Sequence, residues 1–231
     1  MKILNKCFGR LLVIGLALLA VGCAGTPQAT VKMDKNLISD DTEVGIVTLL
    51  PSKATTHIYG AGCLLCYGVA SGLTATLDTH LESTISTDEL EQIKAIVVEK
   101  YTSLTSKTTV VDAIDIDKLK SFSGGLGFAK KDFRPLKEEL GKDVLVVLQI
   151  DAHGAHRLFS SYFPQSDPKG YIAGLLYSVD LNTNAYLQYK VIDEKVQPDG
   201  DWDEPPAFPA VTTSYYQAAE DVKRDVKLHL E

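Results

Sequence analysis

Cys63 and Cys66 are separated by two residues and are the side chains in this sequence best placed to do chemistry. Thiols at this spacing form a disulfide in an oxidising compartment, and at the start of a helix such a pair can be redox-active. A helix starting near Leu64 would satisfy that geometry. No second cysteine pair completes a zinc site, and Tyr67 stands where haem attachment needs His. We predict a structural disulfide, with buried free thiols and redox or metal function as alternatives.

A second group, Asp151, His153 and His156, has the pattern D-x-H-x-x-H. Imidazole and carboxylate are zinc ligands. The three residues fall beside Gly154, where one predicted strand ends and the next begins. We therefore interpret them as polar turn residues and predict no metal there.

A third group, Asp199, Asp201 and Asp203, alternates as in a calcium loop. That loop needs Gly at its sixth position and Glu at its twelfth, where this chain has Glu204 and Ala210. The pattern therefore does not predict calcium binding.

The same acidic, proline-rich loop contains Trp202, the only tryptophan, and Phe208. Aromatic side chains on such a loop either contact a partner or fold back onto the domain, and the sequence leaves both open.

Motifs of the common enzyme classes are missing from the sequence. There is no G-x-S-x-G, and the glycine-rich run at 124–127 lacks the Lys-Ser/Thr of a phosphate-binding loop. We predict a protein that is not an enzyme and needs no cofactor.

The amino terminus has the layout of a signal peptide. Residues 1–10 are basic, and residues 11–21 form an uncharged apolar run of eleven, shorter than the ~20 residues of a membrane span. An ordinary secretory signal and a retained membrane anchor are the alternatives to the interpretation given next.

The sequence AVGC at 20–23 resembles the lipobox of bacterial lipoproteins. The resemblance implies that residues 1–22 are removed, that a diacylglyceryl group joins the sulfur of Cys23, and that the new amine is acylated. Ala24 stands where Asp would mark inner-membrane retention, which favours the outer membrane. The acyl chains would anchor the protein stably on that membrane.

Composition limits the partners. The chain has 231 residues, is 45% hydrophobic and carries a net charge of −7. Removal of residues 1–22, which carry three basic and no acidic side chains, would bring the net charge to −10. Such a chain is folded rather than disordered, and its charge disfavours nucleic acid as a partner.

Beyond residue 22 the pattern predicts a flexible tether at 23–43 and one α/β domain at 44–231. Apolar runs bounded by turn residues predict strands at 44–50, 108–113, 144–150, 153–163, 171–181 and 186–192. Apolar residues at helical spacing predict helices at 87–104, 115–122, 133–140 and 212–230. The apolar stripe of the last helix should pack on the sheet; it consists of Tyr215, Ala218, Ala219, Val222, Val226 and Leu230. We expect a layered sandwich in which a mixed sheet of about five strands is flanked by helices.

Residues 54–77 contain no Asp, Glu, Lys or Arg. Gly68 and Gly72 have the spacing that lets helices approach closely. One interpretation is a core helix packed against the sheet, and the other is a segment that touches a membrane or forms an oligomer.

The stretches VLVVLQID at 144–151 and YSVDLNTNAYLQY at 177–189 are similar to a group of envelope lipoprotein domains. The group includes the amino-terminal domain of TolB, the activators of penicillin-binding proteins and the curli secretion lipoprotein. Asn184 stands where that group has Gly. The resemblance follows the element order of about 44–230 and implies a fold and a periplasm-facing location, without transferring any functional residue.

Together these features predict a lipid-anchored envelope protein that acts as a non-catalytic adaptor or accessory factor for another envelope or cell-wall protein. The alternative is a subunit of an oligomeric outer-membrane assembly or secretion complex.

Overall fold

A computed structural model describes residues 26–203 and 207–231. The predicted signal peptide at 1–22 and the predicted lipidation site Cys23 lie outside these residues and stay predictions.

One seven-stranded mixed sheet organises the chain. Its strands are β1 Val44–Leu49, β2 Thr55–Tyr59, β3 Thr108–Val110, β4 Val144–Ser160, β5 Phe163–Pro164, β6 Lys169–Asp180 and β7 Tyr186–Val196. The α-helices are α1 Leu64–Thr84, α2 Asp88–Leu104, α3 Leu136–Leu140 and α4 Pro209–Leu230. The strand order is β3-β1-β4-β6-β7, with β1 parallel to β3 and β4, and β6 antiparallel to β4 and β7. The predicted α/β fold with a mixed sheet is confirmed.

Strand β4 has 17 residues, which corresponds to a length of roughly 55 Å. It also pairs with β2 and β5, which raises the strand number from the expected five to seven. The sequence predicts a break near Gly154, yet this residue lies inside the strand. A Cβ atom there would come within 2.6 Å of the Thr55 carbonyl oxygen, so glycine allows β2 to approach rather than making a turn.

Helices α2 and α4 pack on one face of the sheet. The predicted apolar stripe of α4 is buried there, together with Tyr101 of α2 and Ile46 of β1. One-sided apolar spacing accounts for both helices, because a helix with such a stripe is stable only when that stripe is covered.

Residues 111–140 cover part of the opposite face and bury Phe133 and Leu136. The helices predicted at 115–122 and 133–140 are confined to a 3₁₀ turn at Ile116–Lys118 and to α3. The side chain of Asn184, in the turn between β6 and β7, holds this segment against the sheet. Its Oδ1 accepts a hydrogen bond from the Phe133 amide at 2.8 Å, and its Nδ2 donates to the Ala129 and Lys131 carbonyls. Asn184 has a φ of 66°, the left-handed conformation that favours Gly or Asn, and its side chain also forms these three hydrogen bonds.

The amino-terminal segment differs from the predicted flexible tether. The backbone of Val31 exchanges hydrogen bonds with that of Tyr189 in β7, and Ile38 is buried in the core. Between residues 28 and 38 the chain therefore lies against the domain, because an apolar side chain and an open strand edge are available to hold it.

Candidate functional site

The structure brings the sulfur atoms of Cys63 and Cys66 to bonding distance, with Cα atoms 5.0 Å apart. Cys63 is the N-cap of α1, and its sulfur accepts a hydrogen bond from the Cys66 amide at 3.0 Å. The pair therefore fixes the first turn of α1. Its redox state stays a prediction.

Helix α1 exposes most of its apolar surface. Only one narrow stripe faces the protein, formed by Cys66, Ala70, Thr74, Leu77 and Leu81. Leu64 and Leu65 are 89% and 73% exposed, and among the described residues no atom outside the backbone of α1 lies within 4 Å of a Cβ built on Gly68 or Gly72. The interpretation of 54–77 as a core helix therefore holds only for the inward stripe, whose Leu77 and Leu81 belong to the core, whereas the outward face of α1 is exposed. A segment that touches a membrane or forms an oligomer stays a prediction.

The attachment of α1 to the sheet depends on the first charged residue after this segment. The Asp78 carboxylate accepts hydrogen bonds from the Thr56 amide at 2.6 Å and from the Thr74 hydroxyl at 3.0 Å. The bond from Thr56 joins α1 to β2, whereas the bond from Thr74 lies within α1. The first four turns of α1, residues 64–77, contain no Asp, Glu, Lys or Arg.

Further apolar side chains lie where α1 begins. Tyr59 is 61% exposed and lies in register with Leu158 of β4, and Phe163 of β5 is 70% exposed. The order of the elements places these side chains at the same end of the sheet, where β2 and β4 end, and exposed apolar patches on a monomer often mark binding surfaces. We call this surface the apolar end; it consists of Tyr59, Leu64, Leu65, Leu158, Tyr162 and Phe163.

Half of this surface was not predicted from the sequence. Residues 153–163 are predicted as a strand, and strands of this composition are usually covered. Here the chain turns at Ser161, which has a φ of 56°, and returns as the two-residue strand β5, which leaves Tyr162 and Phe163 exposed at the end of the sheet. The sequence feature that could have indicated this part of the surface is a turn followed by two adjacent aromatic residues.

The apolar end lies far from the start of the described chain. Val31 pairs with Tyr189, which lies in register with Tyr177 and Val147 in the first part of β4. Leu158 is eleven residues further along the same strand, a separation of roughly 35 Å. The amino-terminal segment and the apolar end therefore occupy opposite ends of the sheet.

Trp202 and Phe208, predicted as a partner contact or as aromatics that fold back, are packed on the domain. Their rings stack with centroids 6.2 Å apart, and the guanidinium of Arg157 lies 4.6 Å from the Trp202 ring. Phe208 is buried and also contacts His80. Of the two alternatives, the structure shows the second.

The residues with metal-capable side chains do not converge. His153 faces α4, with its Nδ1 3.2 Å from the Tyr215 hydroxyl, whereas His156 lies on the other face of the sheet beside His57 and Tyr171. Burial lowers the pKa of both histidines. Within the described ranges, 26–203 and 207–231, no three His, Cys, Asp or Glu side chains are grouped to hold a metal ion.

None of the helices described for this chain combines the length and apolarity needed to cross a bilayer.

No protein-family model and no curated protein matches the sequence. Among solved structures, the lipoprotein GNA1162 from Neisseria meningitidis is 12% identical and covers 77% of this chain and 99% of that one, with a TM-score of 0.26. The hypothetical protein CT253 from Chlamydia trachomatis is 9% identical and covers 80% of this chain and 98% of that one, with a TM-score of 0.29. Scores this low leave the function to be argued from this chain's own residues. The resemblance to the TolB group stays a prediction.

Proposed function

We propose that this protein is a lipid-anchored envelope protein that works as a non-catalytic adaptor and binds another envelope protein through its apolar end. The observation that carries the proposal is the exposure of four large apolar side chains, Tyr59, Leu64, Leu65 and Phe163, at one end of the sheet.

The chemistry of the surface supports a protein partner. Large aromatic and aliphatic side chains supply most of the energy of protein interfaces when they enter a pocket and lose water. Residues 54–77 contain no Asp, Glu, Lys or Arg, so a partner that covers the first four turns of α1 would not have to desolvate an ionised carboxylate or a basic side chain there. The chain carries a net charge of −7, and the repulsion between copies of such a protein disfavours non-specific association through the apolar end.

The placement of the surface supports an adaptor that reaches away from its membrane. Cys23 precedes Thr26 by three residues, which span at most roughly 11 Å. The apolar end lies roughly 35 Å from the sheet region against which the amino-terminal segment packs. Acyl chains on Cys23 would therefore hold one end of the sheet near the bilayer and present the other end to the periplasm.

A second candidate function is a subunit of an oligomeric assembly. The specific observation in its favour is the open space at Gly68 and Gly72, where the helix of another copy could approach closely. Because both candidates use α1, they are distinguished by the identity of the captured molecule.

A photo-crosslinking amino acid at position 65 tests the proposal, with the same amino acid at position 228 as the matched control. Leu65 and Leu228 are both exposed leucines on helices, but Leu228 lies on α4. We expect a discrete crosslinked product from position 65 and none from position 228, in cells that express the lipidated protein. A product containing two copies of this chain would favour the oligomer, and equal products from both positions would contradict the adaptor.

A further inference from the structure

A cavity of about 640 Å³ lies on the sheet face opposite α2 and α4, between that face and residues 116–133. This volume is within the range of sites for small molecules. Neither the apolar end nor the disulfide contributes to it. Six aromatic rings line it: Phe122, Phe128, Phe133, Tyr177, Tyr186 and Tyr189.

Three of these rings form one continuous wall. The ring centroids of Tyr186 and Tyr189 are 4.9 Å apart, and those of Tyr177 and Tyr186 are 5.7 Å apart. Tyr177 also packs edge to face with Phe133, with ring centroids 6.1 Å apart. The rings are inclined to one another, by 80° between Tyr177 and Tyr186 and by 51° between Tyr186 and Tyr189, so each ring presents its own apolar face or edge to the cavity.

The tyrosine hydroxyls supply unpaired donors. Among the described residues, no side-chain hydrogen bond engages the hydroxyl of Tyr177 or Tyr189, and neither oxygen is sealed from solvent. Burial raises the pKa of Tyr186 to about 12 and also raises the pKa of Tyr177 and Tyr189. All three groups are therefore protonated at neutral pH and able to donate as well as accept.

Three charged side chains line the cavity: Asp117, Lys130 and Lys131. The Lys131 ammonium donates to the backbone carbonyl oxygens of Asp117 and Leu119 at 2.6 Å and 3.2 Å, which holds it against the segment 117–119. Because these carbonyls are neutral, the lining keeps one more positive charge than negative.

The polar groups deeper in the cavity are neutral. The Gln149 amide nitrogen donates to Asp151 at 2.6 Å, which leaves the Gln149 amide oxygen as an acceptor beside the tyrosine wall. A ligand that fits must therefore combine a flat apolar face with hydroxyl or amide groups on its edge. An acyl chain lacks such groups and would leave the tyrosine hydroxyls unpaired.

We propose that this cavity binds a sugar ring of a glycan chain. A pyranose ring carries C–H groups on its faces, which pack on the face of a single tyrosine ring, and hydroxyl groups on its edge, which pair with Tyr177, Tyr189 and Gln149. This site is separate from the apolar end, so its failure would leave the adaptor proposal untouched.

The test uses the lipidated protein in a sugar-free detergent and three probes: chitotetraose, cellotetraose and maltotetraose. Binding is measured by calorimetry and by saturation-transfer NMR. We expect saturable binding of at least one probe, weakened at least about tenfold by Tyr189→Ala and about three- to tenfold by Tyr177→Phe. Tyr177→Phe removes only the hydroxyl and leaves the packing of the ring intact. Tyr59→Ala, at the apolar end, is the matched control and should bind as the unmodified protein does.

Two results would overturn the proposal. One is the lack of saturable binding for all three probes up to about 10 mM, or binding that Tyr189→Ala leaves unchanged. The other is saturable binding of sodium laurate at the tyrosine wall without binding of any sugar, which would show that the cavity takes an acyl chain.

Discussion

Helices α1 and α4 have 21 and 22 residues and both carry many apolar side chains, yet they use them differently. In α4 the apolar residues form one stripe, and that stripe is buried on the sheet from Val211 to Leu230. In α1 the apolar residues surround the helix: a narrow stripe that ends in Leu77 and Leu81 faces the protein, and Leu64, Leu65 and Leu73 face outward. The difference shows that a helix can be apolar for two reasons: to hold its own fold together, or to bind something else.

The largest expected difference concerns a charge placed on each helix. Val222→Asp puts a carboxylate among the apolar side chains of the buried stripe of α4 and should lower the free energy of unfolding by about 4 kcal/mol or more. Leu65→Asp exchanges one exposed side chain for another and should change it by less than about 0.5 kcal/mol. Urea denaturation of both variants measures the contrast, and similar losses would show that α1 is packed in solution.

Glycine replacements make the same comparison on a smaller scale. A Cβ on Gly170 would lie 2.2 Å from the backbone of Ser214 in α4, so Gly170→Ala should destabilise the protein by about 2–3 kcal/mol. Gly72→Ala fills open space on α1 and should stabilise it by about 0.5–1 kcal/mol. Thermal melting of the two variants checks both signs. Destabilisation by Gly72→Ala would mean that another surface already lies on this face.

The disulfide should have a modest effect. Cys63 and Cys66 close a very short loop, so the chain-entropy contribution is at most about 2 kcal/mol. We expect protein purified from the envelope to show no alkylatable thiol before reduction and denaturation. Cys63→Ser/Cys66→Ser should fold with a modest loss of melting temperature and keep its cellular function. Free thiols in oxidised preparations would refute the disulfide, and a fully stable but inactive double variant would favour a redox role.

The smallest effect concerns pH and His153 beneath α4. Burial lowers the pKa of His153, an effect that the Lys53 backbone carbonyl partly offsets. The unfolded chain therefore binds the proton more readily than the folded one, and the contribution of this group to stability is lost as the pH falls below about 6.5. His153→Asn should melt with a weaker dependence on pH between about 5 and 7. An unchanged pH dependence would show that His153 does not contribute.

The contrast between the helices also explains how much the sequence could predict. The stripe of Tyr215, Val222, Val226 and Leu230 was predicted correctly, because a one-sided pattern determines which face is covered. The segment 54–77 has no such pattern, so its burial depends on whether another element lies over it. That information is not local.

The other predictions failed where the outcome depends on residues that are distant in the sequence but close in the fold. Gly154 has the sequence context of a turn, but the proximity of Thr55 in β2 explains it only once both strands are placed. The aromatic cavity joins residues as distant as Thr26 and Tyr189, and no spacing in the sequence links them. A helix such as α4, whose apolar residues recur at helical spacing, was predicted from the sequence. Surfaces that are assembled from separate helices and strands were not.

Co-purification with matched variants tests the central claim most directly. The lipidated protein, its Leu64→Asp/Leu65→Asp variant and its Leu228→Asp variant are isolated from envelopes at equal expression, and the associated proteins are quantified by mass spectrometry. The account predicts one envelope protein retained by the unmodified chain and by Leu228→Asp, and reduced at least about tenfold by Leu64→Asp/Leu65→Asp. Associated proteins that are the same for all three would contradict it.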